Sequence, residues 1–488
     1  MAGVGIQLRG MLGTDSYAGL VGAYGYAGLV SAGPWVLSIV GMLAIGGFAT
    51  GDAAPAGRAS ELLIAITWST AGSLILTGPL QLVFGRFVAD CSYQEQPERI
   101  VPNLLGALEL ATVVSGIAAS AIVFATFHES LVCRALLVAT FVTLCDSWIL
   151  LVLLSGVKAH RAVVVVFLAA QLTSVGGAFA LRGAGLEGLL LGFLTGQVGA
   201  LFGMLVLVVR AFPGEPGVRF DFLRPSRAHL HLAAIGLLFY VGTWADKAAF
   251  WLNPSTSIPV IGPLRASVLY DLPVFLAYLS AIPAMAVFFL RLEADFAQRC
   301  GAFVRAVRDG APLRQIERIQ AGMVASVRRG FGELIRVQGV TLVGILVAGP
   351  ALLRFAGLSP LHLRLLLVDA AAVSLQVVFL AILNVLFYLD ERRRALALIA
   401  VFAGGNLAGT LITQALGPDW YGFGFATAAL LASAVGLPTL SHKLERLDRE
   451  IFLRQPLWPA APRPSPRTPP AGPSSISSLA SPPARRKS

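Results

Sequence analysis

Six charged side chains and a tyrosine stand in or beside apolar stretches of this sequence. Asp246 and Lys247 lie within FYVGTWADKAAFWL, residues 239–252. Tyr270 and Asp271 open the next apolar run, and Arg265 sits in the Pro-rich turn before them. Asp146 lies inside 135–157, and Asp369 lies near the start of 365–389. A charge among apolar residues costs several kcal/mol unless it meets a partner or water. These seven residues are therefore candidates for lining a hydrophilic path through an apolar body. Neighbouring helical residues point about 100° apart, so Asp246 and Lys247 are expected not to form an ideal pair. The Lys247 stem is long enough to snorkel outward. Asp246 and Asp146 are expected to face one central cavity. A purely structural network of buried charges accounts for the same residues.

Catalytic chemistry has no support in the sequence. There is no GK[ST] phosphate loop, no GxSxG elbow and no HExxH helix. Cys91, Cys133, Cys145 and Cys300 form no CxxC and have no histidine at ligand spacing, so free thiols are expected. His229 and His231 alone are close, at the start of an apolar run, where an interface role is the simpler reading. The expectation is no enzyme, no metal and no cofactor.

The elements that must position the seven residues are membrane helices. Hydrophobic residues make up 56% of the 488 and charged residues 13%, where soluble chains are about a quarter charged. Twelve apolar runs follow one another: 16–51, 62–85, 104–127, 135–157, 162–181, 188–209, 230–252, 272–290, 337–353, 365–389, 395–416 and 420–440. Most are near the roughly 20 residues that span a bilayer. The fold class expected is an all-α polytopic membrane protein of twelve transmembrane helices. With the N-terminus placed in the cytoplasm, thirty of the 37 Lys and Arg fall on the cytoplasmic side and six outside. That is a positive-inside bias, and it places both termini in the cytoplasm. Because the basic residues are dispersed in this way, the net charge of +11 is no sign of nucleic acid.

Gly33-Pro34-Trp35 resembles Gly242-Thr243-Trp244 at an offset of 209, and Pro79 with Val83-Phe84 matches Pro283 with Val287-Phe288 at 204. Six spans per half keep the orientation, which predicts two pseudo-symmetric halves related by an axis along the membrane normal. The divisions are 1–210, a cytoplasmic linker 211–229, and 230–442. Helix kinks are expected at Pro34, Pro79 and Pro283. Residues 291–336 show apolar residues at helical spacing among arginines, which predicts one or two interfacial amphipathic helices, or a docking platform. The tail 443–488 is Pro/Ser-rich from about 458 and is expected to be disordered, with Arg485-Arg486-Lys487 suited to anionic membrane lipid.

Two long blocks then resemble a known family. GIQLRGMLGTDSYAGLVGAYGYAGLVSAGPWVLSIVGM near the start, and FWLNPSTSIPVIGPLRASVLYDLPVFLAYLSAIPAMAVFFLRLEADF from Phe250, are similar to PelG-type proteins. The resemblance covers about residues 1–455. It implies the twelve-helix fold of the flippase and polysaccharide-exporter superfamily, which also holds MATE-type and lipid-II-flippase-like proteins. It further implies a bacterial inner-membrane protein that exports an N-acetylhexosamine-rich Pel exopolysaccharide. The polymer would come from a cytoplasmic glycosyltransferase, PelF. Assembly with the cyclic-di-GMP-binding PelD and with PelE is implied as well. The residues alone leave open a lipid-linked sugar flippase, a non-transporting scaffold for the synthase, and a cation-coupled small-molecule antiporter.

Overall fold

The computed structural model describes residues 57–446, apart from 156–159, 213, 215–216, 225–226 and 356–358. The apolar run at 16–51, with Pro34, and the tail from 447 lie outside the described residues. The chain divides after Leu444.

Thirteen α-helices occupy the described residues. The first five are α1 Gly57–Tyr93, α2 Ile100–Thr126, α3 Leu131–Ser155, α4 His160–Ala180 and α5 Gly185–Ala211. Then come α6 Arg227–Leu252, a hairpin of β1 Ile258–Ile261 and β2 Leu264–Ala266, α7 Asp271–Leu279 and α8 Ala281–Phe288. A π-helical segment, Phe289–Phe296, leads into α9 Ala297–Arg308. The described residues finish with α10 Leu313–Phe355, α11 Leu363–Tyr388, α12 Arg392–Leu416 and α13 Phe423–Glu445.

Ten helical stretches among the described residues are long and apolar enough to cross a membrane. They coincide with ten of the twelve apolar runs. The run at 230–252 forms α6, which is as long as its neighbours but interrupted by charge. Apolar side chains face outward in rows, as Ile117 and Phe124 do on α2 and Val340 and Val347 on α10. Such surfaces are stable against acyl chains, not water. The chain is a multi-pass membrane protein.

Two of the expected kinks fall on described residues. Pro79 sits inside α1, which continues through it. Pro283 is the third residue of α8, and the helix is interrupted at Ser280 between α7 and α8. A proline at 283 supplies no N–H to bond the carbonyl four residues back, and its ring crowds that carbonyl, so a break lies just ahead of it. The segment 291–336 is not a loop with helices lying in it. It is the π-helical segment, α9 and the first half of α10, a 43-residue helix that runs on into the apolar stretch. Cys300 and Phe303 of α9, with Ile316, Met323 and Val327 of α10, make the buried face of this pair. The helical spacing of these residues was readable; the continuity of α10 was not, because Gly330, Gly332 and Gly339 stand where the basic face gives way to the apolar stretch and Pro350 lies further on, yet the helix runs through all four.

One close crossing joins the first five helices to the later ones. α1 meets α6 at Gly78 and Gly236, where a Cβ on Gly236 would lie 2.1 Å from the Gly78 carbonyl oxygen. Beside it, the Tyr240 hydroxyl donates to Gln81 Oε1 at 2.8 Å. Small residues permit such backbone contact between membrane helices. Gly236→Ala is therefore expected to force the two helices apart and destabilise the protein by about 1–3 kcal/mol, the usual cost of overpacking. A thermal melt in detergent that matches the parent would remove this crossing from the fold's requirements.

At one end of the bundle the linker residues 219–221 are clasped to α2. Arg219 N donates to Pro102 O at 3.0 Å, and Asp221 N donates to Asn103 Oδ1 at 2.7 Å. The Asp221 carboxylate accepts from Arg99 Nη2 at 2.9 Å, and that guanidinium holds the carboxyl below its usual range. A depressed carboxylate contributes stability above its unfolded pKa and loses it as pH falls through the folded one. Protection of the linker from hydrogen exchange should thus hold at neutral pH and fade from about pH 3.9 downward. Asp221→Asn should show the faded state at pH 7; full protection in that variant would assign the clasp to backbone bonds alone.

Candidate functional site

The seven sequence-selected residues separate into distinct places. Asp246 is fully buried on α6 and Lys247 nearly so. Contrary to the expectation from helical geometry, they pair: Lys247 Nζ lies 2.9 Å from Asp246 Oδ2 and 3.1 Å from Oδ1. The reason is the lysine stem. Their Cβ atoms diverge, but four methylenes let the ammonium curl back over its neighbour rather than snorkel out. Nζ also donates to Thr243 O at 3.2 Å, one turn earlier, and to the Tyr278 hydroxyl at 3.3 Å. Aromatic faces of Tyr278, Phe425 and Trp244 surround it at 4.9, 5.2 and 6.0 Å. Ring quadrupoles stabilise a desolvated cation in such a cage.

Asp246 is collared from two further helices. The Tyr270 hydroxyl donates to Oδ2 at 2.8 Å, and Asn406 Nδ2 on α12 donates to Oδ1 at 3.2 Å. Asn406 also donates to Gly242 O at 2.8 Å, so one amide ties α12 to two turns of α6. Tyr270 is itself clamped, its ring stacked on Phe250 at 3.9 Å. Tyr270 and Tyr278 stand eight residues apart, two turns on one face of the α7 segment, which is why both reach the same pair.

Asp369 of α11 is fully buried, and neither of its carboxylate oxygens has a hydrogen-bond partner among the described residues. Gly422 packs against it: a Cβ there would sit 2.7 Å from Asp369 Oδ1. Asp271 is occupied elsewhere. It accepts from Trp251 Nε1 and from Ser267 N, both at 2.8 Å, and closes the turn that starts α7. Arg265 is used inside the hairpin, donating from Nε to Ser257 Oγ and from Nη2 to Ser257 O, each at 2.8 Å. Asp146 on α3 accepts from Thr112 Oγ1 of α2 at 2.8 Å, while its Oδ1 has no partner. Its bonds share no residue with those of Asp246.

Sequence reading missed Asn406, Tyr278, Trp244 and Phe425. Asn406 was findable, because an amide inside an apolar run usually bonds across helices. Tyr278 was findable by its two-turn spacing from Tyr270. Trp244 and Phe425 carried no signal, since aromatic residues in membrane runs are mostly packing. Groups of His, Cys, Asp and Glu able to hold a metal ion do not occur among the described residues.

The bundle has the fold seen in MATE and other MOP-superfamily transporters of known structure. An outward-facing multidrug resistance MATE family transporter of that superfamily superposes with a TM-score of 0.60 at 12% identity, covering 87% of this chain and 96% of that one. A MATE in complex with MaL6 gives 0.58 at 14%, covering 87% and 97%. A MOP superfamily transporter from Pyrococcus furiosus, titled for the reverse polarity of its binding pocket, gives 0.54 at 13%, covering 86% and 96%. The chain itself belongs to the PelG family of exopolysaccharide exporters (EPS-E), whose model matches residues 1–452. No curated protein matches the sequence.

Removing one member of a buried ion pair strands the other and typically costs about 3–5 kcal/mol. Asp246→Asn and Lys247→Met are each expected to lower thermal stability by that order, while the double variant recovers part of the loss. Additive losses in this cycle would show that the two side chains are stabilised independently.

Proposed function

We propose that this chain is an inner-membrane exporter of a Pel-type, N-acetylhexosamine-rich exopolysaccharide. It carries the polymer from the cytoplasm to the periplasm between two six-helix halves, twelve helices in all, with both termini in the cytoplasm. The observation that carries this reading is membership of an exopolysaccharide exporter family over 1–452, joined to a transporter fold. Orientation rests on the distribution of Lys and Arg. The contacts among described residues agree with alternating ends. The hairpin, Phe127 and the α12–α13 turn gather at one end. The linker and the α11–α12 turn gather at the other, where Arg86 lies 3.8 Å from Asp390.

Asp246, Lys247, Tyr270 and Asp369 are proposed to flank the polymer's path, with the Asp246–Lys247 pair fixing the helices that line it. At the cytoplasmic end, α9 and α10 expose Arg305, Arg308, Arg314, Arg318, Arg328 and Arg329. That basic surface suits an acidic face on a cytoplasmic glycosyltransferase of the PelF kind, with PelD- and PelE-like proteins completing the assembly. No nucleotide-hydrolysing motif is present in the sequence, so chain elongation by the synthase is the proposed source of drive.

The test is synthase-coupled translocation in proteoliposomes. Polymer made outside should reach the lumen only when this chain is in the bilayer. Equal lumenal polymer without it would leave the chain a scaffold. Accumulation of lipid-linked sugar rather than free polymer would make it a flippase.

A further inference from the structure

The hairpin between α6 and α7 belongs by its bonds to one group of helices and by its tip to another. Its base is zipped to itself and to the later helices. Arg265 binds Ser257 twice, Ser267 Oγ donates to Thr256 O at 2.8 Å, and Asn253 Nδ2 donates to Gln414 Oε1 of α12 at 3.1 Å. The tip does not pack there. Ile261 is only 6% exposed and is enclosed in an apolar cluster with Leu62 and Ile66 of α1, Leu137 of α3 and Leu189 and Phe193 of α5. Gly262, at φ +49°, folds the tip over Phe127 so closely that a Cβ would lie 2.8 Å from the ring. Only glycine takes that backbone and that approach without strain. A second contact braces the seat: Trp68 Nε1 on α1 donates to Arg265 O at 2.9 Å, and its ring lies 4.7 Å from Trp251 of α6.

We propose that this hairpin is a latch that holds the first five helices to the later ones at its end of the bundle. Ile261 is its bolt, and the α1–α3–α5 cluster is the socket. The inference rests on the exporter reading, because a polymer leaving between the two groups must pass this end. The seat suits release. It is Ile261 with the half-buried Leu264, the Phe127 ring, one indole hydrogen bond and the Trp68–Trp251 ring contact, whereas the hairpin's own bonds survive withdrawal intact. Opening by a rigid arm leaving a socket is hinge motion, with the flexible residues at the arm's ends rather than in it. Cys133 belongs to the same apolar cluster and is 3% exposed, so the socket contains a native thiol whose labelling reports on its opening.

The experiment uses the full chain with Cys91, Cys145 and Cys300 replaced by serine or alanine, Cys133 kept, and the pair Phe127→Cys and Gly262→Cys added. Removing the Phe127 ring makes room for the new side chain at 262. Oxidation to the disulfide should stop polymer export in proteoliposomes, and reduction should restore it. Peptide mass analysis with a membrane-impermeant maleimide should show Cys133 labelled at least about tenfold more slowly in the oxidised form, as for any site reached by local opening. Export at the parental rate with the disulfide formed would overturn the latch. If no form exports, the exporter reading fails separately, and Cys133 labelling indifferent to the disulfide would overturn the latch independently. Should the 127/262 pair not assemble, Trp68→Cys with Arg265→Cys, bridged by a longer thiol reagent, gives the same two readouts.

Discussion

A lysine and an aspartate adjacent in one helix, both removed from water, constrain the later half of this protein. Attraction between opposite charges is strong where the dielectric is low, but dehydration of each charge nearly offsets it. The pair survives only if the remaining lone pairs and N–H bonds are also satisfied. Tyr270 and Asn406 complete the carboxylate, while Tyr278, the Thr243 carbonyl and three aromatic faces complete the ammonium. These groups come from the α6 turn before the pair, the α7 segment, α12 and α13. Their positions relative to α6 therefore follow from the chemistry of two residues.

α6 carries this pair on one side and the glycine crossing with α1 on another. It carries two charges at membrane depth, yet it packs against both α1 and α12. Its C-terminal end also begins the hairpin whose tip is seated among α1, α3 and α5. The first group of helices is thus joined to the second through α6 and its extension. Dispersion and backbone proximity act at Gly78 and Gly236, and apolar burial acts at Ile261. Both are short-range. Short-range contacts of this kind leave each group of helices internally firm and confine their joining to the seam between them.

Most of the fold was legible because lipid imposes a simple rule on sequence. Every backbone group must be satisfied within a helix, so each span announces itself as an apolar run of fixed length. The ten stretches, α6, the two basic helices α9 and α10, and the break ahead of Pro283 follow from length, periodicity and proline chemistry. The blocks near the start and from Phe250 pointed to PelG-type proteins, and the family is confirmed over 1–452. Asp246, Lys247 and Asp369 were singled out because charge is costly among apolar residues, and all three are buried.

Which of those residues meet was decided by tertiary structure alone. The sequence determined that Asp246 and Lys247 need partners; it did not determine that a flexible stem would make them each other's. Asp271 and Arg265 carry the same chemistry in the sequence, yet turn closure and hairpin zipping consume them, because their neighbours Trp251, Ser257 and Ser267 lie within reach only once the chain has turned. Asp146 went to Thr112 on α2, in a different bonded group from Asp246. Hydropathy records the cost of a buried charge but not the address of its partner. That address depends on helix rotation and crossing, which glycines 158 residues apart in the chain, at 78 and 236, fix by allowing two backbones to touch.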